Sequence, residues 1–276
     1  MKNKWLKIVI QTLIWLIFIG VFVVSLGFTE KQRTTELCKK ILVNILDSNQ
    51  NHFIDSVDII QILKNKNYKI THYPLSELPL DNIEKDITHL SVVKNAQVYT
   101  TIDGYLHIDV VQRTPMVRII NYNYESYYID EEGILFPLSD KYTARVMVVN
   151  GNVNEPYALF CSRNAQKAEM QDALKRPTIL DDIFAVSKKI YQDSILRPLI
   201  EQIYINEEQQ MEMVPKVGDF VIVFGDTSQM EDKLIKLKAF YEKVVSKDSW
   251  DAFSKVNLMY NKQIVCTKKN DIYEQQ

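Results

Sequence analysis

The sequence predicts an α+β chain carried on a single N-terminal transmembrane helix. A compact βααββ unit follows the span. A mixed, β-rich unit with a long C-terminal helix and a final edge strand comes after it. Three observations support this. Residues Ile8 to Phe28 are almost unbroken apolar sequence. Between residues 36 and 113 the hydrophobic period switches from strand-like to helical and back. From Met116 onward, short apolar runs alternate with polar turns, interrupted by two strongly periodic helical stretches.

The span comes first. Lys2, Lys4 and Lys7 precede it, and only Gln11, Thr12 and Ser25 interrupt it before charge returns at Glu30, Lys31 and Arg33. About 20 apolar residues are what a helix needs to cross the hydrocarbon core. A cleaved signal peptide is the competing reading, with Ser25-Leu26-Gly27 as its site, but its apolar core would run only about 7–15 residues. The run therefore reads as a retained anchor over 8–28. Residues 1–7 form a short cytoplasmic tail, and the rest of the chain lies outside the cytoplasm. Lysines and arginines also follow the span, so the orientation rests on the ease of leaving a short basic tail inside.

The first unit is expected over 36–114. Cys38 to Leu46 is an apolar strand candidate. Residues 47–58 resemble a calcium loop, with Asp47, Asn49 and Asn51 at positions one, three and five. His52 replaces the turn glycine, however, and Asp58 the bidentate Glu, so a polar loop with Ser56 as N-cap of a helix Val57 to Asn65 is preferred. Leu80, Ile83, Ile87 and Leu90 make a second helical stripe, with Asp81 and Glu84 placed as a capping box. A hairpin closes the unit. If Ile102-Asp103-Gly104 is a three-residue loop, then Thr100 pairs with Leu106, Val98 with Ile108 and Ala96 with Val110, and both apolar combs face one core. A two-residue turn would put them on opposite faces. The longer loop wants a left-handed residue last, which Gly104 supplies.

The second unit is expected over 115–267, with 268–276 a C-terminal tail. Met116–Ile120, Tyr127–Ile129, Ile134–Phe136 and Val146–Val149 read as strands. Glu169–Leu174 reads as a short helix inside a polar stretch, and Ile179 to Tyr191 as a helix striped by Ile179, Ile183, Val186 and Ile190. A meander follows at Gln202–Asn206, Met211–Val214 and Phe220–Phe224. Ser228 and Glu231 suggest a capping box opening a helix striped by Met230, Leu234, Leu237, Tyr241 and Val244. Val256 to Thr267 is the final strand region. A last strand with no successor is often an edge, where a partner strand can add.

The sequence carries no catalytic signature. The formal net charge of −2 gives no general affinity for nucleic acid. Seven dispersed glycines build no phosphate loop. Cys38, Cys161 and Cys266 exclude C-x-x-C motifs and a dense disulfide framework, although one pair could bond in an oxidising compartment. The four histidines have no ligand spacing. Ser91-Val92-Val93-Lys94 matches S-x-x-K but lacks its S-D-N and K-T-G companions. No catalytic, metal or cofactor site is expected.

Across the joint the chain reads Gln112, Arg113, Pro115, Arg118, then Tyr127, Tyr128, Ile129, Asp130, Gly133 and Pro137. Later come KVGDFVIVFGD, a long helix ending in FYEKV, Trp250, and VNLMYNKQIVC. This pattern resembles the FtsQ/DivIB family of bacterial cell-division proteins, most closely its Bacteroidota branch. The resemblance implies that the first unit is a POTRA domain and the second the family's β domain. It implies no enzyme, no cofactor and no small-molecule substrate. The expected role is a single-pass scaffold of the inner (plasma) membrane at the division septum, joining partners of FtsB and FtsL type, and of FtsK type. The implied partner-binding residues are Val256, Leu258, Tyr260, Ile264 and Val265. Tyr260 reads equally as a core residue of the alternating stripe. Arg113, Pro115 and Arg118 mark a joint in which two domains run strand to strand in a restricted orientation. Two other classes stay open: a membrane-anchored ligand-binding sensor, and a cell-wall enzyme acting through Ser91.

Overall fold

The structure, a computed structural model, describes residues 11–22, 37–46, 51–71, 73–158, 178–243 and 252–269. It divides into two compact units, Met1–Gln112 and Arg113–Gln276. Residues 11–22 form helix α1, all exposed. The remainder of the expected span lies outside the described residues. Among the described residues no helix is long and apolar enough to cross a membrane.

The first unit is a three-stranded sheet with two helices. Strands β1 (Lys40–Ile45), β2 (Val93–Thr100) and β3 (Tyr105–Gln112) lie in the order β1-β3-β2, with β1 parallel and β2 antiparallel to β3. Helices α2 (Ser56–Asn65) and α3 (Leu80–Thr88) each bury one stripe, Ile59 and Leu63 on one, Ile83 and Ile87 on the other. These meet Ala96, Val98, Leu106, Ile108 and Val110 in a single core. The hairpin register is the one that parity demands: Thr100 opposes Leu106, Val98 opposes Ile108, and Ala96 opposes Val110. Gly104 sits at φ +87° as the left-handed residue of the loop.

Both helix starts differ from expectation. The N-cap of α2 is Asp55, not Ser56: its carboxylate accepts from the amide of Asp58, and that of Asp58 accepts from the amide of Asp55. An acidic pair at this spacing satisfies two orphan amides at once, where a lone Ser satisfies one. Helix α3 starts behind Pro79 with no side-chain cap. Glu84 reaches across instead to accept from the amide of Val98, at 3.0 Å. Asp47 and Asn49 of the calcium-like stretch lie outside the described residues. The carbonyl of Asn51 accepts from Gln112, whose other amide atom accepts from the Ile54 N–H. A buried glutamine thus ties this loop to the end of β3.

The second unit is one mixed sheet of nine strands: β4 (Pro115–Ile120), β5 (Ser126–Asp130), β6 (Leu135–Pro137), β7 (Met147–Gly151), β8 (Ile200–Ile205), β9 (Met211–Pro215), β10 (Val221–Gly225), β11 (Phe253–Asn257) and β12 (Val265–Lys268). Their order is β12-β11-β10-β9-β8-β7-β4-β5-β6. Two neighbouring pairs are parallel and joined through a helix: β7 to β8 through α4 (Ile179–Gln192), and β10 to β11 through α5 (Met230–Lys243). Strands β7 and β10 point the same way, because two antiparallel steps separate β8 from β10. Both crossovers also step in the same direction along the sheet. Crossovers of one hand must then place both helices on one face. Two ion pairs show them side by side: Lys189 to Glu231 at 2.8 Å, and Lys238 to Asp193 at 2.7 Å. The core lies between these helices and the sheet, with Ile203, Met213, Ile222 and Val256 opposing one another across four strands.

The expected helix Glu169–Leu174 falls outside the described residues. The capping box at α5 gives way to another arrangement. The Ser228 hydroxyl donates to Asp226, and Glu231 pairs with Lys189. The largest difference is at the end. Val256 to Thr267 is not one strand but two, with a six-residue excursion, 259–264, after Leu258.

Candidate functional site: the C-terminal edge

Strand β11 lies parallel to β10, with Val256 opposite Ile222, and β12 turns back antiparallel with Cys266 opposite Val256. Val256 and Leu258 are fully buried. Leu258 stays on the sheet through its amide, which donates to the Val223 carbonyl at 3.0 Å. These two expected partner residues therefore present no side chain to a partner; they hold β11 down. The chain then leaves the sheet, so the alternation that suggested Tyr260 as a core residue ends at Leu258. Tyr260 is 49% exposed. Ile264 is half-buried against the core, and Val265 is exposed at the start of β12.

The excursion is held in shape by three devices. The amine of Lys236, on α5, donates to the carbonyls of Leu258 at 2.5 Å and Tyr260 at 2.8 Å. Desolvation, helped by the neighbouring Lys233 cation, lowers the pKa of that amine. Gly225, at φ +79°, lets the Met259 side chain lie over it; a Cβ there would stand 3.0 Å from the Met259 Cγ. The Asn257 side chain accepts from the Met259 amide at 2.9 Å. Sequence reasoning did not single out Lys236, Gly225 or Met259. In the sequence Lys236 is one of several lysines on an amphipathic helix, and only the tertiary pairing sets it apart.

Strand β12 is the rim of the sheet. Its inner side pairs with β11, and no described strand pairs with its outer side. The amide of Lys269 donates to the Ala252 carbonyl. Backbone groups alternate sides along an antiparallel strand, so Thr267 and Val265 also point their amides and carbonyls at β11. Those of Cys266 and Lys268 point outward. The Cys266 side chain packs partly against the core, and burial raises its thiol pKa.

The three residues expected at the joint belong to the first hairpin of this unit. Arg113 pairs with Asp130 at 2.7 Å, both nearly buried. Pro115 stands opposite Asp130, and Arg118 donates to the Ser126 hydroxyl at 2.8 Å. Among the described residues no group of three or more His, Cys, Asp or Glu side chains could hold a metal ion.

A family model described as FtsQ/DivIB, C-terminal related, matches residues 114–267, which is more than half of the chain. The chain belongs to the FtsQ/DivIB family. A second model, for a POTRA-like domain, matches residues 36–111, which takes in β1, β2, α2, α3 and all of β3 but its last residue. No curated protein matches the chain. As an FtsQ/DivIB protein it has a cell-division role; both domains are of non-catalytic scaffold families, and the FtsQ/DivIB family implies protein–protein interactions in the divisome.

Proposed function

We propose that this FtsQ/DivIB chain is a membrane-anchored scaffold that recruits division proteins of FtsB and FtsL type by strand addition at β12. The observation that carries the reading is the outer side of β12, a rim with outward-facing backbone groups at Cys266 and Lys268 and an exposed Tyr260 on the adjoining excursion. An added strand gains affinity from main-chain bonds and specificity from side chains such as Tyr260 and Val265. The apolar run Ile8–Phe28 supports the anchor, and the family supports the septal location.

The test follows from the register. Proline at Lys268 removes an outward N–H and is tolerated on an edge strand. Proline at Val265 would instead strike the pairing with β11, so it serves as the destabilising control. Tyr260→Ala removes an exposed aromatic of the kind that anchors interfaces, worth about 2 kcal/mol or roughly 30-fold in Kd. Lys268→Pro and Tyr260→Ala in the full chain are expected to cut co-purification of FtsB and FtsL at least tenfold with an unchanged melting temperature. Undiminished capture by both variants would sink the reading.

A further inference from the structure

The end of the first unit at which the chain enters β1 carries an unusual group of side chains. Strands β1 and β3 are parallel, with Lys40 opposite Tyr105, so the tip of the β2–β3 hairpin lies beside the start of β1. The Lys39 amide donates to the Gly104 carbonyl at 2.9 Å, and its amine to the Asp103 carbonyl at 2.8 Å. A short bridge joins Leu37 to Pro74, and the Cys38 amide donates to the Tyr73 carbonyl. Three separate segments therefore converge here, and each presents an exposed apolar side chain. Ile102 at the hairpin tip is 76% exposed, Leu37 46% and Tyr73 39%. Lys39, which reaches the hairpin tip, is exposed, as are Lys40 next to it and the acidic Asp103 next to Ile102.

Water is a poor solvent for such a group, and folding had no need to leave it there. Ile102 occupies a loop position that a polar residue fills without strain. A second fact supplies the occupant. Leu37 follows the last residue of the apolar run, Phe28, by nine positions. Nine fully extended residues reach at most roughly 32 Å, so this end of the unit is tethered close to the surface in which the run is embedded. An isoleucine, a leucine and a tyrosine beside two lysines match the interfacial layer of a bilayer. The apolar groups enter the acyl boundary, the tyrosine ring sits at headgroup depth, and the amines meet anionic headgroups.

We infer that this end of the POTRA-like unit, with Ile102 at its point, rests on the membrane surface. The inference depends on the anchor proposed above. Contact there would orient the first unit relative to the bilayer by a second attachment, independent of the tether.

The full chain in nanodiscs of phosphatidylcholine and phosphatidylglycerol, with brominated phosphatidylcholine as quencher, tests this. Two single variants are compared with the unsubstituted chain: Ile102→Trp, at the proposed contact, and Leu46→Trp, also well exposed but at the opposite end of β1. The expected result is bromolipid quenching of the added fluorescence in Ile102→Trp at least twice that in Leu46→Trp. Equal quenching of the two in discs that have taken up the chain would overturn the contact and leave the anchor standing. A chain that does not enter the discs would overturn the anchor and the contact with it.

Discussion

Asp130 shows how much one residue can organise. One carboxylate oxygen accepts from the amides of Glu132 and Ile134, which closes the turn in which Gly133 takes φ +84°. The other accepts from Arg113 at 2.7 Å. The sequence shows the first role openly, because Asp130-Glu131-Glu132-Gly133 reads as a turn by composition alone. It hides the second. Arg113 is seventeen positions upstream, and only the β4–β5 register brings the two together. Arg113→Ala would leave a nearly buried carboxylate without its counter-ion, at a cost of about 3 kcal/mol. Urea unfolding of the full chain should show that loss, whereas Arg118→Ala, which gives up one hydrogen bond to Ser126, should lose about 1 kcal/mol.

Elements were legible where one period governed them. The β2–β3 hairpin was read to the residue because three constraints agreed: the parity of two combs, the length of the loop, and a glycine at its left-handed position. The C-terminal strand was not, because Val256, Leu258 and Tyr260 keep strand spacing after the strand has ended. What ends it is tertiary. Lys236 draws the carbonyls of Leu258 and Tyr260 toward α5, and Lys262 then turns the chain at φ +57°. Charge-assisted bonds of this kind contribute about 1.5–3 kcal/mol. Lys236→Met keeps the stem and removes both. Amide exchange at 259–263 should then quicken on the order of tenfold, as hydrogen-exchange mass spectrometry would show, while exchange in β7–β9 stays as it was. Unchanged exchange in the excursion would mean that Gly225 and Met259 suffice to hold it.

At the scale of the molecule, the division into two α+β units was legible in the change of hydrophobic period, and the sidedness of the larger sheet follows from its connections. The pairings between distant elements were not. Among these is the link from α5 to the turn after α4, where Lys238 meets Asp193. That hydrogen bond, together with the backbone amides of Leu196 and Ile195, holds the Asp193 carboxyl below the usual carboxylate range. A carboxylate with a depressed folded pKa stabilises the fold above its unfolded pKa of about 4, and that contribution fades as pH falls through the folded value. Lys238→Met should therefore lower the urea midpoint at neutral pH and have a smaller effect below the carboxylate range. A difference that grows on acidification would contradict the assignment.

The strand order of the larger sheet has a consequence for how the chain is made. After the β4–β6 hairpins, β7 is laid on the free side of β4, and each later strand takes its place beside the one that came before: β8, β9, β10, β11 and β12 in turn. Growth is vectorial. Every strand that leaves the ribosome finds its partner already waiting, so the sheet can extend without displacing a strand laid earlier, with β8 reaching β7 across the long connection that carries α4. The rim at β12 is then the newest surface of the domain. It comes into being only after every other strand of the sheet has been laid, and a partner docking there would meet a finished sheet.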